Sequence, residues 1–159
     1  MYINKVKHNG KLYLGINSQD TWLPLSALLP AAIEALSDDV DTAAGDARAA
    51  FVSPGSYIDQ EYQLAKQEAA SWLNGDKDPN SVPSSLADHM AMFDVDADVA
   101  AHEILATAEA WEQALSGIRR ARLGGKAAVR AAETIEAAEQ AAQSAIAELN
   151  AIRPAEGAL

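Results

Sequence analysis

The apolar and polar positions divide this chain into an N-terminal stretch with a period of two and a long remainder with a helical period. The strongest pattern runs from Asp96 to Ile152. In its first half, Ala101, Ile104, Ala108, Trp111, Leu115 and Ile118 are separated by 3, 4, 3, 4 and 3 positions, which places them on one face of a helix. His102, Glu103, Thr107, Glu109, Glu112 and Gln113 fill the opposite side. In the second half, Ala128, Ala131, Ile135, Ala138, Ala142, Ala145, Leu149 and Ile152 repeat the alternation of three and four, a heptad-like seam made mostly of small side chains. Ala, Glu, Gln, Leu and Arg dominate both halves, and all are strong helix formers. At ~1.5 Å per residue each half makes a rod of about 40 Å.

The two seams are out of phase. Counting sevens from Ala101 and Ile104 leads to positions 129 and 132, whereas the second seam uses 128 and 131. Gly124-Gly125 sits where the shift falls, and each glycine inside a helix costs roughly 1 kcal/mol against alanine. A bend, or a reversal into a helical hairpin, is expected there. An alanine seam packs closely but buries little area, so it is expected to pack against the rest of the chain or within an oligomer.

The first 23 residues read differently. Tyr2 to His8 and Lys11 to Ile16 flank Asn9-Gly10, whose residue types suit the two positive-φ positions of a type I′ hairpin turn. Leu12, Leu14 and Ile16 alternate with Lys11, Tyr13 and Gly15, giving the second strand one apolar face. An isolated hairpin is marginal in water. It must lean on a helical body, on a third short strand near Thr21-Trp22-Leu23, or on a partner. Two readings follow: a small cap on the helices, or a docking element carrying Val6, Leu12, Leu14 and Ile16 that adds to another protein's sheet edge.

Signals between Pro24 and Ala50 are weaker. Leu25, Leu28, Leu29, Ile33 and Leu36 suggest a short helix with Pro30 near its start or at a kink. Ser37-Asp38-Asp39-Val40-Asp41 reads as a linker or cap, Asp41 to Phe51 as a further short helix, and Ser53-Pro54-Gly55 as its end. Ser56 to Asp59 has capping-box spacing, ahead of a stripe of Ile58, Tyr62, Ala65, Ala69, Trp72 and Leu73. Asn74-Gly75 and a polar loop to Pro83 follow. Ser84 or Ser85 is placed to cap a short helix with Leu86, Met90 and Phe93, and Asp94 or Asp96 to cap the long segment.

Composition narrows the function. The 159 residues are 49% apolar, much of it alanine, with three Trp, four Tyr and two Phe as anchors for a core. One domain is the simplest division for this length, and two small modules are also compatible with it. The net charge of −11 opposes sequence-independent nucleic-acid binding, which depends on displacing counterions with positive charge. It opposes docking on anionic lipid for the same reason. There is no cysteine, hence no disulfide and no thiolate chemistry. No apolar run approaches the length of a membrane span, and the first residues lack a signal sequence. A soluble chain made in a cytoplasm is expected.

Tyr62-Gln63-Leu64-Ala65-Lys66, Glu68-Ala69, Trp72-Leu73, Val82-Pro83, Ala100-Ala101, Ile104-Leu105, Trp111, Leu115, Ile118-Arg119 and Arg122 to Ala128 together form a further pattern. This pattern, spanning about residues 48 to 150, resembles small proteins encoded among the tail-fibre and baseplate genes of tailed bacteriophages. The resemblance carries no catalytic signature and does not extend to the hairpin. It implies a virion tail component, made in the host cytoplasm, or a tail-fibre assembly chaperone absent from the mature particle. Other tail or fibre proteins would be its partners.

Candidate chemistry is sparse. Asp94-Val95-Asp96-Ala97-Asp98 mimics the start of a calcium loop, but Val99 and Leu105 stand where that loop needs Gly and Glu. Helix capping accounts for these aspartates. His89 and His102 lack the i, i+4 partner of a zinc motif. Arg119, Arg120, Arg122, Lys126 and Arg130 form a basic run that pairing with Glu109, Glu112, Glu133 and Glu136 would neutralise. Nothing resembles a nucleophile elbow or a phosphate loop. The sequence therefore predicts a mainly α protein: a β-hairpin module over residues 1–23, a linker with short helices over 24–55, a helical body over 56–152 and a flexible tail over 153–159. It predicts a non-enzymatic role without metal, cofactor, nucleic acid or membrane, and a possible homo-oligomer. The interaction residues would be Trp111, Leu115, Ile118, Ala128, Ala131, Ile135, Ala138, Ala142, Ala145 and Leu149.

Overall fold

The structure is a computed structural model that describes residues 1–20, 22–51 and 58–154; of Ile58 and Asp59 it describes the backbone alone. The described residues are mainly helical, with an N-terminal antiparallel hairpin, β1 (Tyr2–His8) and β2 (Lys11–Asn17), ahead of five helices. These are α1 (Leu25–Ala49), α2 (Ile58–Asn74), α3 (Ser84–Phe93), α4 (Ala97–Ala131) and α5 (Ile135–Ala151). They form two compact units. One comprises Met1–Ala50 with Ser116–Pro154, the other Phe51–Leu115, so α4 contributes residues to both.

In the first unit the hairpin turns at Asn9-Gly10, with φ of 48° and 72°, the pair of left-handed conformations a type I′ turn requires. The pairing register runs from Tyr2↔Asn17 to His8↔Lys11. Ile3 opposes Ile16 and Val6 opposes Tyr13, and Ile3, Val6 and Ile16 are buried. Residues three apart on a regular strand face opposite ways. Gly15, at φ 62° in the middle of β2, breaks the alternation. The face carrying Ile16 therefore continues through Tyr13, not through Leu14 and Leu12. Those two leucines are exposed, which corrects the apolar face read from simple alternation. Trp22 lies in a turn, not a third strand, and meets the Tyr13 ring edge-on at 5.1 Å; Thr21 lies outside the described residues.

Residues 25–49 form a single helix where short helices and a linker were expected. Its buried stripe, Leu28, Ala32, Leu36, Val40, Ala43, Ala44 and Ala47, steps mainly by four. Ser37 to Asp41 lies inside it, because Val40 is wholly buried and holds the helix in register there. Pro30 removes a hydrogen bond to the Ser26 carbonyl, and it is tolerated one turn into the helix, where Ser26 is exposed to solvent. Leu28 and Ala32 pack with Ile3, Val6, Ile16, Leu23 and Ile135 in one cluster. The remainder of the stripe runs beneath α5, whose Ile135, Ala138, Ala142, Ala145 and Leu149 are all buried.

The helical break is not at Gly124-Gly125. α4 runs through both glycines and ends at Ala131, and the chain reverses over residues 132–134. Thr134 caps α5, its hydroxyl accepting the Ala137 N–H at 3.1 Å. The hairpin is antiparallel: a Cβ on Gly117 would meet Ile152 at 3.5 Å, and one on Gly125 would overlap the Cβ of Ala145 and lie 3.7 Å from Val40. Gly125 is therefore a contact residue, present because the backbones of α4 and α5 pass too closely for a side chain. Gly124 has open space around it. The apolar stripe of α4 is also unbroken. It continues from Ile118 through Ala121, Gly125 and Val129, while Ala128 and Ala131 are exposed and lie off it.

The second unit is held differently. Trp72 and Ala69 of α2, Leu86 of α3 and Ala101 of α4 form a buried cluster, flanked by Leu73, Val82, Ala97, Ile104 and Leu105. Phe51 and Trp111 stack at 5.2 Å with an interplanar angle of 34°. The predicted capping box at Ser56 and the terminator at Ser53-Pro54-Gly55 lie outside the described residues, as does most of the expected tail.

Candidate functional site

The residues singled out for chemistry serve the fold. Asp94 closes α3 in the left-handed conformation, φ 55° and ψ 46°, with its N–H donating to the Met90 carbonyl. Asp96 caps α4, accepting the Val99 N–H at 2.8 Å. Asp98 accepts the Trp72 indole N–H at 2.9 Å and the Lys77 ammonium at 2.7 Å. The Lys77 contact first, then the indole, holds the Asp98 carboxyl below the ordinary carboxylate range. His89 lies 2.8 Å from Glu103 and against the Phe93 ring, and His102 reaches the Asp98 carbonyl one turn back. Among the described residues no three of these groups converge as metal ligands would.

α3 is capped from a distance. Its N-cap position is Pro83, which offers no side-chain acceptor, and Ser84 and Ser85 lie within the helix. The carboxylate of Glu68, on α2, accepts the Ser85 N–H at 2.8 Å. A carboxylate at a helix N-terminus satisfies a free amide and complements the dipole. Nothing local in the sequence marks Glu68 for this role, since the two residues are 17 apart.

The basic run on α4 is divided. Arg122 and Lys126 both reach Asp41 of α1, the first at 2.5 Å, and the Lys126 contact, then Arg122, holds the Asp41 carboxyl below its usual range. The nearby glutamates named from sequence are not the partners; Glu112 pairs with Lys66. Residues on α4 and α1 that lie 81 and 85 apart in sequence meet because the two helices pack. Arg119, Arg120 and Arg130 are exposed and form no ion pair among the described residues.

Of the seam residues, Ile118, Ile135, Ala138, Ala142, Ala145 and Leu149 are buried inside the chain's own fold, Trp111 and Leu115 are half-buried, and Ala128 and Ala131 are exposed. Of the hairpin residues, Val6 and Ile16 belong to the core. Leu12 and Leu14 are 54% and 66% exposed, opposite Lys7 and Lys5 respectively. The outward face of the hairpin thus sets two leucines beside two lysines, with exposed Tyr2 at its far end. Neither strand has a further strand partner among the described residues. This face is suited to meeting another molecule: it sets apolar and cationic side chains together, is backed by buried Ile3, Val6 and Ile16, and is able to bond through a strand edge. No helix of the described chain is long and apolar enough to cross a membrane. Comparison with protein-family models, curated proteins and solved structures finds no match.

Proposed function

We propose that this protein is a non-enzymatic docking component of a bacteriophage tail, associated with the fibre or baseplate. In this reading it is made in the host cytoplasm and carried in the virion. Its phage setting rests on the resemblance of residues 48–150 set out above. The docking role rests on one observation: Leu12 and Leu14 stand exposed on a hairpin whose other face is locked into the core. A two-stranded sheet is marginal by itself, yet this one is braced by α1, so its outer face keeps its shape before a partner arrives. Preformed surfaces lose less entropy on association than surfaces that must order first. The partner is a tail or fibre protein, either one of another kind or a further copy of this chain. It meets the leucines with its own apolar side chains and pairs one strand edge with its backbone.

The buried seam changes which residues do this work. Ala138, Ala142, Ala145 and Leu149 build the fold, and the hairpin carries the contact. The test uses particles assembled from the genome that encodes the chain, analysed by mass spectrometry. The wild-type chain is expected in purified particles, and a Leu12→Glu/Leu14→Glu chain is expected to be missing from them while melting at an unchanged temperature. A wild-type chain bound stably to unassembled fibre but absent from particles makes it an assembly chaperone instead. A double variant that still enters particles removes the hairpin from the reading.

A further inference from the structure

The charge on this chain is confined. Residues 51–115 carry two lysines against twelve carboxylates, and both lysines are occupied, Lys66 with Glu112 and Lys77 with Asp98. The other unit carries ten basic and ten acidic side chains. Within it the hairpin is locally cationic, because residues 1–19 hold Lys5, Lys7 and Lys11 and no carboxylate side chain. The chain therefore presents an apolar face of positive sign on the hairpin and an acidic surface on the second unit.

On that unit, exposed apolar side chains stand beside two of the carboxylates. At the C-terminal end of α3, Met92 is 75% exposed and Phe93 is exposed beside it. Asp88 lies one turn before Met92 on the same helix face, and Asp94 follows Phe93 directly. Asp88 takes part in no ion pair among the described residues. The carbonyl end of a helix also favours a cation, through the partial negative charge of its last turn. Two leucines with two lysines thus find their complement in a methionine and a phenylalanine with two aspartates and a helix C-terminus.

We infer that the outward hairpin face of one copy, Lys5, Lys7, Leu12 and Leu14, docks on the α3 end of a second copy, at Asp88, Met92, Phe93 and Asp94. This rests on the reading of the hairpin as a docking element and names its partner as the same chain. The two patches are different surfaces, so the contact is heterologous. Repeated head to tail it builds a ring or an open file of subunits, and exchanged reciprocally it closes a two-fold dimer. With only two apolar anchors on each patch, the contact is weak. It strengthens where copies are already held at high local concentration, as in an assembly.

The experiment is light scattering on the full chain from low-micromolar to several hundred micromolar concentration, at low and at high salt. A mass that climbs with concentration is expected, with association weakened about tenfold or more at high salt as the lysine–aspartate attraction is screened. Leu14→Glu and Met92→Glu are each expected to return the chain to monomer, and Leu123→Glu, at an exposed leucine of α4 outside both patches, to leave association intact. All three sites are exposed, and circular dichroism checks that each variant keeps its helices. A chain that stays monomeric throughout overturns the inference, as does association that survives Leu14→Glu or Met92→Glu. If Leu14→Glu excludes the chain from particles while the wild type is monomeric in solution, self-docking fails and the docking reading of the hairpin stands.

Discussion

The two units reach stability by opposite means. In the unit of Met1–Ala50 and Ser116–Pro154, the helices close on small residues: Ala43, Ala44 and Ala47 of α1, Ala121 and Gly125 of α4, and Ala138, Ala142 and Ala145 of α5. Each small side chain buries little area, so the gain comes from backbones approaching closely along a whole helix. In the unit of Phe51–Leu115, one large side chain, Trp72, fills the centre and is tied at its rim by Asp98. The first unit also buries Val40, Ile118, Val129 and Leu149, but its small-residue seam fails when atoms are added, whereas the tryptophan cluster fails when they are removed. Their sensitivity to substitution therefore has opposite sign with respect to side-chain volume.

Trp72→Ala should break the second unit most severely. Removing a buried tryptophan costs about 3–5 kcal/mol, and it also leaves Asp98 with Lys77 alone. Urea unfolding gives the total, and hydrogen exchange locates it: amides of α2 and α3 are expected to lose protection before those of α1 and α5. Equal loss in all helices would mean that the contrast between units has no energetic counterpart.

Gly125→Ala is the matching insult to the first unit. A single methyl collides with Ala145 on a packed helix, and overpacking of this kind costs typically 1–3 kcal/mol. The neighbouring Gly124→Ala supplies the control, because its Cβ meets open space and the helix gains up to about 1 kcal/mol from the better former. Adjacent, chemically identical substitutions are thus expected to shift the denaturation midpoint in opposite directions. If both stabilise, the close approach of α4 and α5 is wrong.

These glycines also mark what could and could not be read from the residues in order. The helical period, the Asn9-Gly10 turn and the stripe on α5 follow from local chemistry, and so they were legible. The role of Gly125 was not, since a glycine in a helix reads as a breaker until the partner helix that occupies its space is known. The heptad count from Ala101 points to Val129, while the alanine repeat through Ala128 and Ala131 mimics a seam one position away. The true break, at residues 132–134, was signalled only by Thr134 before Ile135. Gly15 has no local signal of its role either: its positive φ exchanges the faces of β2, whereas alternation by itself assigns Leu12 and Leu14 to the core. Pairings such as Asp41 with Arg122 and Lys126, or Glu68 with the start of α3, depend on packing between segments far apart in sequence and have no local signature.

A smaller effect tests whether long-range polar contacts matter to the second unit beyond its tryptophan. Glu68→Ala removes the side-chain acceptor that, among the described residues, meets the start of α3, and should cost about 1 kcal/mol, the usual loss for a helix cap. Glu68→Gln keeps an acceptor and should recover part of it. The reading is early loss of exchange protection at Ser85 and the amides beside it, with α1 and α5 unchanged.

The smallest expected effect compares the units through pH. Asp41 in the first unit and Asp98 in the second both titrate below the ordinary carboxylate value, the one through Lys126 and then Arg122, the other through Lys77 and then Trp72. A carboxyl with a lower pKa in the folded chain binds its proton later than in the unfolded chain. Its contribution is therefore complete above the unfolded value of about 3.9 and is lost as pH falls through the folded value. Stability should fall with acid below about pH 4, and Asp41→Asn should flatten that fall at a loss of no more than about 1 kcal/mol near neutrality, because the carboxylate is partly solvated and screened. Asp98→Asn keeps an acceptor for the indole and loses only the attraction for Lys77, so its effect at neutral pH should be smaller still. Urea midpoints between neutral pH and the acid limit decide the comparison. A flattened acid limb for Asp41→Asn beside an unaltered one for Asp98→Asn would place the electrostatic tie between packed helices, in the unit built from small residues, and leave the other to its tryptophan.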